Sequence, residues 1–174
     1  ETLGPIAGDL EIYPTRDMRI RVVDIIRQAR PDIIITHSLD DYMPDHVTTG
    51  QLVFDAAFTA TLPLYKTDYP AHEKITPIYQ MDTVAGFCFE PDVYVDISDF
   101  FERKLDGLAA YGSQFSIPGR STEDPTLGPQ TFISSNDFME YYIARMRRLG
   151  FQIGARYGEG FQTWGGPLKV EDLL

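Results

Sequence analysis

One loop, residues 37–46 with the sequence HSLDDYMPDH, holds the side chains best suited to chemistry. It contains two of the three histidines of the chain, together with three aspartates. Imidazole and carboxylate are ordinary ligands of zinc, but a catalytic zinc needs about three protein ligands and an open position. The loop therefore predicts part of a metal site and not a complete one.

The spacing within this loop indicates which side chains could meet. Asp45 and His46 are adjacent at the start of a predicted helix, where one can bind a metal while the other orients a partner. His37 lies nine positions before His46, and the loop can fold it back. The same residues also have a structural interpretation, because Asp40 and Asp41 are typical of turns and Asp45 of helix N-caps. Residue types alone leave both interpretations open.

Composition limits the classes of partner. The chain has 174 residues, which fits one domain, and a net charge of -11. Strong acidity argues against nucleic acid and anionic membranes as partners, and it leaves a small polar substrate open. Cys88, the single cysteine, excludes an intrachain disulfide, and its setting between two phenylalanines predicts a buried, unreactive thiol. We expect no membrane span, no signal peptide and a cytoplasmic location.

The helices and strand that position the loop follow from the spacing of apolar residues and from the capping residues and prolines at their ends. Apolar residues over 18–29 recur at helical spacing after Thr15, with Arg27 on or beside the polar face. The apolar run 32–36 is typical of a strand buried on both faces of a parallel sheet. A second helix begins at Pro44 and Asp45, directly after the loop, and ends at Pro63. The loop thus connects the carboxyl end of a predicted strand to the start of a predicted helix. Ligands bind beyond the carboxyl ends of the strands in open α/β sheets.

The second half of the chain predicts two strands, two helices and a final short strand. A polar loop with His72, expected to be exposed, precedes the first of these strands. Glycine and proline make 116–131 a long loop, typical of a lid or an interface arm. The predicted strands are 75–81, 93–97 and one near 157–161, and the predicted helices are one capped by Ser98 and one begun by Ser134 and Asp137. This mixed order favours an α/β fold.

The segment Pro31–His37, followed by Asp41 and by Pro44-Asp45-His46, resembles the second motif of the PIG-L/LmbE-like zinc-dependent N-deacetylases. Similarity to this family extends over most of residues 9–162. It implies a Rossmann-like three-layer α/β sandwich whose mainly parallel sheet lacks its first strand. It also implies metal-dependent hydrolysis of an N-acetyl group on an amino-sugar-type substrate.

The resemblance also implies roles for individual residues. His46 would be a zinc ligand, and the remaining ligands would lie outside the sequence of this chain. Asp45 and Asp41 would be catalytic, with Asp45 tuning or orienting the site. Support of the loop or of the substrate would fall to His37, Tyr42 and Met43.

Two departures from the family pattern affect these expectations. The opening motif of the family, Ala-His-Pro-Asp-Asp-Glu, does not occur in the 174 residues, and it supplies the other zinc ligands and the general base. We therefore expect residues 1–174 to be the C-terminal portion of one PIG-L/LmbE-like domain. Truncation, cleavage, a partner subunit and loss of the metal are the open explanations.

The second departure is Met43, which stands where the family usually has a histidine. A thioether cannot donate a hydrogen bond to an oxyanion or protonate a leaving amine, whereas the neighbouring Tyr42 has a phenolic donor. A rival hypothesis follows: a non-catalytic carbohydrate- or nucleotide-binding homologue of the same fold. A purely structural subunit is a third alternative, and homo-oligomer formation is open.

Overall fold

The computed structural model describes residues 12–112, 114, 115, 117 and 132–164. These residues form four α-helices, α1 (Arg16–Ala29), α2 (Pro44–Thr59), α3 (Phe101–Ala109) and α4 (Asn136–Gln152). They also form four strands, β1 (Ile34–His37), β2 (Ile78–Met81), β3 (Val93–Asp96) and β4 (Gly158–Thr163). The predicted order of helices and strands is confirmed. The loop predicted over 116–131 lies outside the described residues except for Ile117.

The four strands form one mixed sheet in the order β1-β2-β4-β3. β1 pairs with β2 in parallel, and β2 pairs with β4 in antiparallel. The α/β class is confirmed, whereas the expected mainly parallel character is confirmed only for the first pair. Alternation along a strand does not reveal its direction, so the sequence of β4 could not show that it runs against β2. In the described part of the chain, no helix is long and apolar enough to cross a membrane.

The described residues divide into two compact units, one of residues 12–93 with 161–164 and one within residues 94–160. In the first unit, α1 packs on α2 through the apolar faces that the periodicity predicts. Val23, Ala56 and Ala60 are completely buried at this contact, and Ile26 and Ile78 extend the same core. Alanines on α2 present little side-chain volume, so α1 can approach closely. α2 packs on β1, which holds the start of this helix beside the end of the strand.

The two faces of β1 differ in burial. Ile34 packs against the core under the helices, whereas Ile33 and Ile35 are 45% and 53% exposed. Alternate residues of a strand lie on opposite faces, so the second face of this strand is open among the described residues. The expectation of a strand buried on both faces was therefore wrong.

Arg27 departs from the expectation that it lies on or beside the polar face of α1, because only 3% of it is exposed. Its guanidinium donates hydrogen bonds of 2.8–3.0 Å to the segment after α2. The acceptors are the carbonyl oxygens of Ala60, Leu62, Tyr65 and Tyr69 and the hydroxyl of Thr67. Hydrophobic periodicity cannot identify a buried cation whose partners are backbone oxygens distant in sequence. Arg27 therefore holds a segment that has no helix or strand of its own.

The second unit is organised by contacts around Tyr157. Its ring stacks on Phe101, with ring centroids 3.7 Å apart. The hydroxyl of Ser98 accepts hydrogen bonds from the backbone N–H groups of Arg156 and Tyr157, at 3.1 and 3.2 Å. Ser98 begins a short 3-10 turn and does not cap α3 through its side chain. The serine that caps α4 is Ser135, whose hydroxyl accepts from Phe138 N, and not Ser134 as predicted.

Gly150 in α4 packs against the backbone of residues 155–157, and this contact excludes a side chain. A Cβ added at Gly150 would lie 2.8 Å from Ala155 O and from the Tyr157 backbone. We expect Gly150→Ala to lower the free energy of unfolding by about 2 kcal/mol, because backbone atoms must move to admit the methyl group. Urea unfolding followed by circular dichroism measures this loss.

Gly107 in α3 provides the matched control, since a Cβ added there meets no atom within 4 Å. Gly107→Ala should raise the free energy of unfolding by roughly 0.5–1 kcal/mol, the usual gain from alanine inside a helix. A similar change in both variants would show that helix propensity, and not the close approach, governs position 150.

Candidate metal centre

The loop identified in the sequence lies at the carboxyl end of the parallel pair. His37 is the last residue of β1 and is paired in register with Met81, the last residue of β2. The backbone N–H of Leu39 donates to Gln80 Oε1 at 3.0 Å, which ties the loop to β2. A Cβ at Gly50 of α2 would lie 2.8 Å from His37 O, so only glycine lets the helix pack this closely. Strand end and helix start are thereby fixed beside each other.

Three side chains of the loop converge into one cluster, which consists of His37, Asp41 and His46. Their potential ligand atoms all lie within 4.8 Å of one another. Asp41 Oδ2 lies 2.8 Å from His46 Nδ1, and the side chain of Asp41 is only 3% exposed. The imidazole rings of His37 and His46 stack nearly parallel, with centroids 4.0 Å apart. The loop thus folds His37 back to His46, as the spacing predicts.

Asp41 has two roles in this loop. One carboxylate oxygen, Oδ1, accepts a hydrogen bond from Met43 N at 3.0 Å and shapes the turn before α2. The other oxygen contacts His46 Nδ1. Ser38, which is 1% exposed, accepts from Asp40 N at 3.2 Å and shapes the start of the same loop. Asp41 therefore shapes the turn and also contacts His46, whereas Asp40 is exposed and is a turn residue.

Electrostatics keep the His37 imidazole neutral. Burial lowers the pKa of His37 below its usual value, and the neighbouring His46 lowers it further, against the opposing effect of Asp41 and Asp45. Neutral imidazole is the form that binds metals. Partial burial also raises the pKa of the Tyr42 hydroxyl, with Asp41 adding to the effect, so Tyr42 keeps its proton.

Asp45 lies in the first turn of α2 and does not cap it. The N-cap residue is Met43, which makes no side-chain cap hydrogen bond. Asp45 Oδ1 is buried and has no hydrogen-bond partner among the described residues. Leaving a buried carboxylate oxygen without a partner is costly, so this oxygen is available to accept a hydrogen bond from a water or a ligand.

The loop after β2 brings residues to the neighbourhood of the cluster that the sequence analysis missed. Phe87 meets the Tyr42 ring edge-on, with centroids 6.3 Å apart, and is 65% exposed. Cys88 is exposed, so the prediction of a buried thiol was wrong. Its φ of 55° and the φ of 71° at Gly86 give this turn two left-handed residues. Cys88 lies between Phe87 and Phe89, a pattern typical of a buried segment, and Gly86 is the one residue beside it that is typical of a turn.

His72 is not part of the cluster. It is buried, with 4% exposed, and its Nε2 lies 3.0 Å from the hydroxyl of Thr76. That hydroxyl donates to Pro31 O at 3.1 Å, which links the segment before β2 to the end of α1. The expectation of an exposed His72 was wrong. Its Nε2 has the Thr76 hydroxyl as partner and its backbone N–H donates to Ala60 O at 2.9 Å, whereas Nδ1 is buried without a hydrogen-bond partner among the described residues.

The donor set of the cluster fits a divalent metal. Two imidazoles and a carboxylate are borderline ligands that suit zinc. The contact between Asp41 and His46 Nδ1 matches the arrangement in which a carboxylate orients a metal-binding histidine and leaves Nε2 free. Among the residues that the structure describes, this is the one group of three such side chains that could hold an ion.

Comparisons with known proteins found similar sequences and similar folds, and the family match includes the loop of residues 37–46. Residues 3–57 match the family model described as PIG-L: GlcNAc-PI de-N-acetylase. A diacetylchitobiose deacetylase of Thermococcus kodakarensis is 34% identical over 116 residues, 62% of this chain and 41% of that protein. A 4-oxalmesaconate hydratase of Pseudomonas putida is 27% identical over 113 residues, 62% of this chain and 42% of that protein. The chain thus spans about two fifths of the length of the curated relatives it matches.

Solved structures share the fold. The conserved protein TT1542 from Thermus thermophilus matches with a TM-score of 0.75 at 22% identity, over 95% of this chain and 66% of that one. An N,N'-diacetylchitobiose deacetylase from Pyrococcus horikoshii matches with a TM-score of 0.70 at 22% identity, over 95% and 59%. GalB, a 4-carboxy-2-hydroxymuconate hydratase from Pseudomonas putida KT2440, matches with a TM-score of 0.65 at 20% identity. This match covers 91% of this chain and 62% of GalB. These solved structures agree with the chain in fold. The resemblance to the PIG-L family that the loop sequence carries is confirmed by the family match over residues 3–57 and by the relative named as a deacetylase.

Proposed function

We propose that the cluster of His37, Asp41 and His46 belongs to the metal centre of a hydrolase that removes an N-acetyl group from an amino-sugar-type substrate. The observation that carries this proposal is the contact of Asp41 Oδ2 with His46 Nδ1 at 2.8 Å, in a cluster at a strand end, because a carboxylate in this place orients a metal-binding histidine. The similarity to a protein named diacetylchitobiose deacetylase supports the substrate class.

Within this proposal, His46 would hold the zinc, with Nε2 as the nitrogen that Asp41 leaves free. Its other nitrogen faces Asp41 Oδ2 at 2.8 Å, so the carboxylate fixes the ring and its tautomer. His37 stacks against this ring as a neutral group and adds no positive charge beside the ion. The remaining ligands and the general base come from residues outside these 174, as the family pattern implies.

When bound, zinc supplies a Lewis acid that polarises a carbonyl and a water nucleophile near neutral pH. Asp45 offers its unpartnered Oδ1 as an acceptor that orients water or an amide N–H of the substrate. Tyr42, which keeps its phenolic proton, takes the donor role that Met43 cannot fill and stabilises the oxyanion of the amide. We assign Tyr42 and Asp45 to substrate and Met43 to the start of α2.

The proposal also covers the extent of the domain and the kind of substrate. Because the chain spans about two fifths of its curated relatives, we propose that residues 1–174 are the C-terminal part of one PIG-L-like domain. The substrate is a small N-acetylated molecule and not a nucleic acid. A cytoplasmic location and homo-oligomer formation stay predictions.

The test is acetate release from N,N'-diacetylchitobiose by the purified, zinc-supplied complete protein, which contains the ligands and base proposed outside residues 1–174, with free amine measured in the same samples. We expect equal amounts of acetate and amine. Tyr42→Phe should lower kcat by about a hundredfold, the usual effect of removing one oxyanion donor. Asp40→Asn is the control, since its exposed side chain touches no part of the proposed machinery, and it should retain kcat.

Other outcomes separate the alternatives. Zinc and sugar bound without acetate release would establish the non-catalytic binding homologue and contradict the hydrolase. Hydration of 4-oxalmesaconate without acetate release would place the chain with the relative named as a hydratase. Unchanged kcat in Tyr42→Phe would remove Tyr42 from the mechanism.

A further inference from the structure

A cavity of about 630 Å³ lies in the first unit, between α2, the segment leading into β2, and the end of β4. It is distinct from the metal cluster, none of whose three residues lines it. Its size falls within the roughly 300–1,000 Å³ typical of small-molecule sites. The apolar part of its wall is Phe54, Phe58, Ile75, Pro77, Ile78 and Trp164.

The aromatic wall is partly preformed and partly open. Trp164 stacks on Phe54 with ring centroids 4.1 Å apart and nearly parallel planes. Phe58 and Ile75 keep 57% and 65% of their surface exposed. Exposed apolar side chains that line a cavity gain free energy when a ligand removes them from water. The cavity is therefore suited to a molecule with an apolar body.

The polar groups of the lining decide what else that molecule carries. The hydroxyls of Thr59 and Thr76 already donate to backbone carbonyls, at 2.7 and 3.1 Å. Asp55 Oδ1 accepts from Gln51 at 3.0 Å. Arg19 differs, because its Nε is buried without a hydrogen-bond partner among the described residues. The lining thus offers one hydrogen-bond donor that is not already used, the positively charged guanidinium of Arg19.

The ion pair between Arg19 and Asp55 does not give the guanidinium a hydrogen bond. Its NH2 group lies 3.9 Å from Asp55 Oδ2, beyond hydrogen-bond distance, and both side chains are over a third exposed. Ion pairs this exposed contribute little free energy. An anion that hydrogen-bonds to the guanidinium gains a charge-assisted bond that Asp55 does not provide.

We propose that this cavity binds an amphipathic carboxylate, with its apolar chain against the aromatic wall and its carboxylate on Arg19. The site goes beyond the proposed deacetylase function and does not depend on it. Octanoate is a suitable probe, and octanol, which has the same chain length without the charge, is its matched control.

Trp164 is the single tryptophan of the chain, so its fluorescence reports on the cavity directly. Titration with octanoate should shift and saturate the Trp164 emission, with an affinity about tenfold higher than that for octanol. Arg19→Gln should weaken octanoate binding about tenfold and leave octanol binding unchanged, since one charge-assisted hydrogen bond is lost. Phe58→Ala, at an exposed position, should weaken both probes by a similar factor.

His46→Ala separates this site from the metal cluster, because a carboxylate could also bind zinc. Octanoate affinity should be the same in His46→Ala as in the parent protein. An emission that neither probe changes, equal affinities for octanoate and octanol, or loss of octanoate binding in His46→Ala would each overturn the proposal. An Arg19→Gln variant with unchanged octanoate affinity would overturn the role of Arg19.

Discussion

Replacing Arg27 by methionine should lower the free energy of unfolding by about 4 kcal/mol, the range expected when a buried, hydrogen-bonded charge network is broken. Methionine has a similar length, so the loss comes mainly from the hydrogen bonds. The substitution removes the guanidinium donor from four carbonyl oxygens and one hydroxyl after α2. Some of these acceptors keep a second donor, as Ala60 O does from the His72 backbone N–H. Urea unfolding of the parent and variant, monitored by circular dichroism, measures the difference.

Arg21→Met on the same helix is the control for Arg27→Met. Arg21 is exposed, and this substitution should change the free energy of unfolding by no more than about 0.5 kcal/mol. Arg27→Lys should fall between the two, because an ammonium group retains the charge but has three donors in place of five. Equal effects of Arg21→Met and Arg27→Met would contradict the role given to the buried guanidinium.

Arg27 also illustrates which parts of the fold the sequence could predict. The order of helices and strands followed from local patterns, since each element carries its own period and its own proline or serine boundary. The boundaries were less certain, and β2 begins after Pro77, three residues later than predicted at 75. Contacts between residues distant in sequence, such as Arg27 with the segment after α2, leave no local signal.

The candidate site shows the same division. The position of the loop after a strand, and the gathering of His37 with His46, followed from residue types and spacing. The pairing of Asp41 with one particular nitrogen of His46 did not, because it depends on how the turn at Met43 is closed. The exposure of Cys88 also escaped prediction, since it rests on left-handed backbone at that residue.

Asp41→Asn should weaken zinc binding by about 10- to 100-fold, the usual effect of removing a carboxylate that orients a metal-binding histidine. Asparagine keeps the shape and can still accept the Met43 N–H bond that closes the turn. What it loses is the negative charge 2.8 Å from His46 Nδ1, which holds the ring in one tautomer. His46→Ala should have a larger effect, more than about a hundredfold, because the ligand itself is absent. Competition with a chelating dye at a fixed, neutral pH measures both affinities.

Asp40→Asn distinguishes this local effect from general electrostatics. It removes one negative charge from the same loop, but the Asp40 side chain is exposed and is not one of the three that form the cluster. Screening by water and salt weakens the influence of such a charge on the ion, so zinc affinity should stay within about twofold. Equal losses in Asp40→Asn and Asp41→Asn would mean that net charge governs binding. Zinc affinity retained in His46→Ala would place the metal on other residues, and the cluster would then be a hydrogen-bonded loop structure.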